Sequence, residues 1–194
     1  MNLPNRITVF RIILSPVFFV FFFLPRWLSV SGVWLIPVLW VLFLVSELSD
    51  FFDGYFARKL NLVTDIGKIM DPFSDVVSRM TFFVCFTATG LMPVWILMIL
   101  LYREFGILFL RMFMMGRGTA MAASIWGKAK AITYVLAAGF GLLTMSLRYL
   151  GLSAADSSVW NLVLLLLFVL TAVSSVFSFL TYALAVRRSV INGR

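Results

Sequence analysis

The residues with the clearest capacity for chemistry are four aspartates, Asp50, Asp53, Asp71 and Asp75, set in an otherwise overwhelmingly apolar chain. Asp50 and Asp53 are three positions apart and Asp71 and Asp75 four apart, so on two helices each pair projects its carboxylates from one face. Two such faces turned toward each other make a four-carboxylate cup. In a low-dielectric setting four anions repel and resist desolvation, and the cup is tolerable only with cations of comparable total charge among them. Two divalent ions would balance it. Oxygen ligation without histidine or cysteine suits hard ions, which makes Mg2+ or Mn2+ the expected cofactor, with Ca2+ as an alternative. Two ions roughly 3.5 to 4 Å apart would clamp a phosphoryl group and stabilise both its attacking and its leaving oxygens. The competing reading is that these acids cap helices or pair with Arg58, Lys59 and Lys68 at a membrane surface. Acids inside apolar spans are functional by default, which favours the cup.

Composition narrows the setting. Of the 194 residues 62% are hydrophobic and 12% charged, against about 25% charged in soluble domains. The expectation is an all-α integral membrane protein forming a single domain over residues 1–194. There is no histidine, so proton transfer falls to carboxylates. The one cysteine, Cys85, lies in an apolar run and reads as packing; it excludes an intramolecular disulfide and a metal-thiolate cluster. Net charge is +8, yet six of the eight acids fall between Glu47 and Asp75, leaving the rest of the chain almost purely basic. In so apolar a chain that excess points to an anionic lipid headgroup or a phosphorylated substrate, and no nucleic acid partner is expected.

The elements that must position the aspartates are membrane helices. Apolar segments run over Ile12 to Leu24, Val33 to Phe56, Ile69 to Leu91, Pro93 to Met115, Ala120 to Leu147 and Val159 to Val186. All but the first, which continues a polar start, reach on their own the about 20 residues a bilayer requires, and six transmembrane helices are expected. The start, with Arg6 and Arg11 ahead of the first run, is similar in outline to a secretory signal, but Pro25-Arg26-Trp27 follows instead of a small-residue cleavage site. It reads as an uncleaved first helix. Basic residues gather around Arg58, Lys59 and Lys68, around Arg117, Lys128 and Lys130, and at Arg187, Arg188 and Arg194, whereas the other turns hold only Arg26 and Arg148. By the positive-inside rule both termini and the cup face the cytoplasm. The turn between the second and third helices is expected at Asn61 to Thr64.

Further candidates flank the cup. Gly54 lies four residues after Asp50, on the same helical face, where a missing side chain lets a ligand approach the backbone; helix packing is the alternative. Arg58 has the planar fork that binds diphosphate oxygens bidentately. Arg103 and Arg111 share a face of the fourth helix, and Lys128 and Lys130 open the fifth. Together these four make a candidate anion pocket, with Glu104 as a neutralising neighbour of Arg103 and ordinary cytoplasmic anchoring as the other reading of Arg111 and Lys128. Ser174, Ser175 and Ser178 read as helix packing or a dimer surface. The six tryptophans read as an interfacial belt without chemistry.

Asp50, Asp53, Gly54, Ala57, Arg58, Gly67, Asp71 and Asp75 together spell D-x2-D-G-x2-A-R-x8-G-x3-D-x3-D. This resembles the signature of the CDP-alcohol phosphatidyltransferases at every fixed position, and the resemblance covers most of the chain. It implies that family's membrane fold, a CDP-linked lipid donor and an alcohol that displaces CMP. Asp50, Asp53 and Asp71 would then hold metal, while Asp75 would help ligate and act as catalytic base toward the incoming hydroxyl. Ala57 and Gly67 would wall a cytidine pocket beside Gly54 and Arg58. Leu3, Pro4, Asn5, Thr8 and Arg11 also resemble the start of bacterial members of the family, which implies Asn5 and Thr8 at the CDP-lipid site; Arg6 and Arg11 read equally well as positive-inside anchors.

That start, with Tyr102-Arg103-Glu104 and Gly127-Lys128-Ala129-Lys130, most resembles members that use CDP-diacylglycerol and sn-glycerol 3-phosphate. A dianionic acceptor would explain the cations of Arg103, Arg111, Lys128 and Lys130. Two departures stand against it: Val76 replaces the lysine often found after the last aspartate, and Ala131 stands where threonine is common. The other readings are inositol phosphate, serine or phosphatidylglycerol as acceptor, CDP-choline as donor with diacylglycerol as acceptor, a cation transporter, or an inactive lipid-binding scaffold. The resemblance further implies a homodimer, multi-pass in the inner (cytoplasmic) membrane of a bacterium, with the active site facing the cytoplasm.

Overall fold

The computed structural model describes residues 3–59, 65–117 and 125–191, and their side chains except at 3, 4, 51–59, 65, 66, 68, 69, 125, 126 and 128. The expected turn at Asn61 to Thr64 therefore lies outside the described residues. Among those described, the chain is wholly helical and has no strand. Six long helices follow in order: α1 Leu3–Leu28, α2 Ile36–Lys59, α3 Asp65–Ala88, α4 Val94–Gly116, α5 Ile125–Tyr149 and α6 Ser158–Ile191. The shortest has 23 residues, about 35 Å at roughly 1.5 Å per residue.

Among the described residues each apolar segment of the sequence coincides with one of these helices, and the ends move by a few residues. The α1 helix starts at Leu3, so Asn5, Thr8 and Arg11 lie on its first turns and not ahead of it. Proline is tolerated at the start of a helix, where no backbone partner is lost, and Pro4 does not delay it. Val33–Leu35 forms a short 3-10 turn before α2. Four stretches among the described residues are long and apolar enough to cross a membrane: Asn5–Leu28, Val33–Asp50, Ala129–Tyr149 and Ser158–Ile191. The α3 and α4 helices are of similar length but carry the charges of the site itself, Asp71, Asp75 and Arg79 on one and Arg103, Glu104 and Arg111 on the other.

Helices consecutive in the chain run in alternating directions, so helices two apart that pack together are parallel. Residues pair in ascending order between α1 and α3, where Phe18 meets Phe82 and Phe22 meets Phe86, so these two are parallel. The same holds for α4 and α6, with Arg103 on Ser178 and Arg111 over Tyr182. Between α5 and α6 the order reverses, Thr133 meeting Ser174 and Trp160 meeting Thr144. Gly90, at φ +76°, ends α3 with Leu91 donating back to the Phe86 carbonyl at 2.9 Å, and Gly151, at φ +70°, ends α5 likewise through Leu152. Only glycine takes that backbone without strain. The core is aromatic: Phe18, Phe22, Phe82, Phe83, Phe86 and Phe168 are fully buried, and edge-to-face pairs such as Phe18–Phe82, at 4.6 Å between centroids, bind α1, α3 and α6 together. Cys85 is buried in this layer, in keeping with a packing role.

Candidate active site

The same parallel seam turns polar toward the start of α1. Thr8, Arg11 and Ser15 step by three and four along α1, and Asp71, Ser74 and Ser78 step by three and four along α3. Because the helices run the same way, equal steps stay in register. Thr8 Oγ1 donates to Asp71 Oδ1 at 2.8 Å, Arg11 Nε to Ser74 Oγ at 3.0 Å, and Ser15 Oγ to Ser78 Oγ at 3.1 Å.

Arg11 then joins three helices. Its Nη2 donates to Asp75 Oδ1 at 2.7 Å on α3, and its Nη1 donates to Asp50 Oδ1 on α2. Arg79, one turn beyond Asp75 on α3, donates to the other Asp50 oxygen at 3.2 Å. The side chain of Arg11 is only 1% exposed, whereas Asp50 and Asp75 keep 36% and 37% of theirs accessible. The carboxylates thus show one side to a buried cation and the other to open space.

That space is a cavity of about 180 Å³, smaller than the roughly 300 Å³ and upward of a site that swallows a drug-sized ligand. It suits a small polar headgroup. Asp50, Asp75 and Arg79 line one part, while Arg103, Glu104 and Arg111 from α4 and Lys130 from α5 line another, with Tyr182 of α6 beside them. Four cations and three carboxylates therefore share its wall.

The basic part is built on one buried carboxylate. Arg103 Nη1 donates to both Glu104 oxygens at 3.0 Å, Lys130 Nζ pairs with Glu104 Oε1, and the Tyr134 hydroxyl donates to the same oxygen at 2.8 Å. From α6, Ser178 Oγ and the Ser175 carbonyl accept from Arg103 at 2.7 and 3.3 Å. Lys130 also lies 4.4 Å from the Tyr134 ring centroid, a cation–π contact. Arg103, Glu104 and Lys130 are all buried. A low-dielectric cluster with two cations on one anion holds surplus positive charge and favours an incoming anion. Arg111 adds to it, resting over the Tyr182 ring at 5.8 Å.

The structure thus brings Asp50 and Asp75 to one cavity with Arg103, Arg111 and Lys130. Asp71 stands a turn earlier on α3, bonded to Thr8, and does not line that cavity. Asn5 and Gly67 are buried on α1 and α3. Asp53, Gly54, Ala57 and Arg58 lie on the last turns of α2 and Lys128 on the first of α5, with their side chains outside the described set. Among the described residues no three acidic or thiol side chains cluster closely enough to form a metal-ligand set by themselves. Ser174, Ser175 and Ser178 all turn inward, so they pack α6 within the chain.

Sequence reasoning gave no part in the site to Arg79 or Ser74 and read Arg11 as an anchor as readily as a motif residue. The signal for Arg79 was present: Asp71, Asp75 and Arg79 step by four on one face of α3. For Arg11 the sign was its spacing of three from Thr8, which places both on one face.

Over residues 1–186 the chain matches the model of the family described as CDP-alcohol phosphatidyltransferase. It is 37% identical over 163 residues to the CDP-diacylglycerol–glycerol-3-phosphate 3-phosphatidyltransferase of Treponema pallidum, an alignment covering 80% of this chain and 75% of that one. To the protein of the same name from Bacillus subtilis it is 34% identical over 166 residues, covering 82% and 86%. With that from Haemophilus influenzae the identity is 32% over 177 residues, covering 84% and 90%.

Proposed function

The chain belongs to the CDP-alcohol phosphatidyltransferase family, and from that premise we propose that it transfers the phosphatidyl group of CDP-diacylglycerol to sn-glycerol 3-phosphate. The products are CMP and phosphatidylglycerophosphate, a step of phospholipid synthesis. The observation that carries this reading is the single cavity whose wall holds Asp50 and Asp75 together with Arg103, Arg111 and Lys130. An aspartate pair that gathers positive charge suits the diphosphate end of the donor, and a cluster with surplus cations suits an anionic acceptor.

Asp50, Asp53, Asp71 and Asp75 would hold two divalent ions, Mg2+ or Mn2+. The fit rests on Arg11, since Asp50 and Asp75 already converge on one positive charge, and on a donor set of hard oxygens. Bound ions would supply Lewis-acid stabilisation of the charge that builds on the transferring phosphate. Gly54, Ala57 and Gly67 leave room for the cytidine, Arg58 takes the diphosphate, and Asn5 and Thr8 border the donor from α1. Arg103, Arg111, Lys128 and Lys130 hold the acceptor phosphate. Asp75 takes the proton of the acceptor hydroxyl, a role for which the chain has no histidine. The hydroxyl oxygen forms the new bond to the phosphatidyl phosphorus, and the bond from that phosphorus to the bridging oxygen breaks, its electron pair leaving with CMP.

The acyl chains stay in the bilayer. All six helices are read as spans, with both termini and the cavity on the cytoplasmic side of a bacterial inner membrane; the alternation of helix directions and the basic residues near Arg58, Lys128 and Arg187 support that topology. The working unit is read as a homodimer. The test is CMP release by the purified chain from CDP-diacylglycerol with Mg2+ or Mn2+, comparing glycerol 3-phosphate, inositol phosphate, inositol and serine. Release dependent on glycerol 3-phosphate alone supports the assignment. Release with another acceptor overturns the acceptor and leaves the aspartate chemistry standing.

A further inference from the structure

Arg11 is buried deep in an apolar bundle, and its guanidinium bonds to the same two carboxylates that the proposed chemistry assigns to divalent ions. Those bonds are directional and cross three helices, from α1 to Ser74 and Asp75 on α3 and to Asp50 on α2. A carboxylate oxygen that accepts a guanidinium N–H cannot offer the same lone pair to a metal. Even where a second lone pair remains, guanidinium and metal on one carboxylate bring like charges within a few ångströms of each other.

We propose that Arg11 and divalent cations compete for Asp50 and Asp75: the guanidinium locks α1 onto α2 and α3 when no cation is bound, and it must leave at least one carboxylate when a cation enters. Arg11 is then a positioning residue that lowers metal affinity in exchange for an ordered cup. Ser74 and Arg79 suit this exchange. Ser74 offers Arg11 an uncharged acceptor apart from the two carboxylates, and Arg79 keeps one cation on Asp50 while Arg11 shifts. This inference rests on the metal-holding role proposed for Asp50 and Asp75.

The experiment compares the full chain, purified in detergent and stripped with EDTA, with Arg11→Gln and Arg11→Lys. Mn2+ binding is read from the electron paramagnetic resonance signal of free Mn2+, and melting is followed with and without Mn2+. In EDTA, Arg11→Gln should melt lower by on the order of 5 °C. It should bind Mn2+ about tenfold more tightly, because one repelling charge has gone, and Mn2+ should raise its melting point more than that of the unaltered chain. Arg11→Lys keeps the charge but cannot bridge both aspartates, so it should show both effects at smaller amplitude. It decides the matter if Arg11→Gln does not fold. Unchanged or weaker Mn2+ binding in the folded variants overturns the competition while leaving the metal site intact. Absence of Mn2+ binding by the unaltered chain overturns the metal site and this inference together.

Discussion

Tyr134 on α5 donates its hydroxyl to Glu104 on α4 at 2.8 Å, and both side chains are buried. The bond matters because Glu104 is also the shared partner of Arg103 and Lys130. One carboxylate thereby fixes the heads of two cations and a phenol where α4, α5 and α6 meet beside the cavity.

Glu104→Gln keeps the shape and removes the charge, leaving Arg103 and Lys130 buried with no anion between them. Loss of one partner from a buried ion pair costs about 3–5 kcal/mol, so the variant should melt well below the unaltered chain in the same detergent. Glu104→Gln combined with Lys130→Met should recover part of that loss. If the single variant melts as the parent does, Glu104 is not the counter-charge of this cluster.

Asp75→Asn keeps a side chain of the same size and cannot accept the hydroxyl proton. Turnover should fall by at least about 10²-fold, the lower range of general-base contributions, while CDP-diacylglycerol binding stays measurable. A normal rate of CMP release would remove Asp75 from the base role.

Arg111→Ala removes a cation that makes no ion pair with a described residue and rests on Tyr182. The apparent KM for glycerol 3-phosphate should rise about tenfold, as loss of one charge-assisted hydrogen bond implies, with little change in the KM for CDP-diacylglycerol. Lys128→Ala should act in the same direction. Equal impairment toward both substrates would argue against a dedicated acceptor pocket.

Chelation should stop turnover, and either Mg2+ or Mn2+ should restore it. Asp50→Asn should shift the metal concentration needed for half-maximal rate upward by at least an order of magnitude, because one hard oxygen ligand and one unit of negative charge are lost together. A metal dependence identical to that of the parent would take Asp50 out of the ligand set.

Much of this was legible in one dimension. Spacings of three and four put Asp50 with Asp53, and Asp71 with Asp75, on common helix faces whatever those helices touch, because the α-helical period is a property of the backbone alone. Apolar runs of bilayer length marked the six helices for the same reason, and only their ends moved, as at Leu3 and Ile36. The family signature lay within 26 consecutive residues and required no contact to be recognised.

Which charges meet across helices was not legible, since that depends on register and direction between segments far apart in the chain. Arg11 read as a membrane anchor as readily as a motif residue, because arginine near the start of a membrane helix ordinarily stands at the surface; parallel packing of α1 on α3 carries it inward to Asp50 and Asp75. The serines of α6 read as helix packing or a dimer surface, and only the fold joins Ser175 and Ser178 to Arg103. By itself the sequence determined the chemistry available here, carboxylates without histidine on helices of known period, because residue type and local repeat are carried by the chain. Tertiary structure decided that aspartates and basic residues share one cavity and that Arg11 lies among the acids, because the pairing of buried charges is set by packing that satisfies every helix at once.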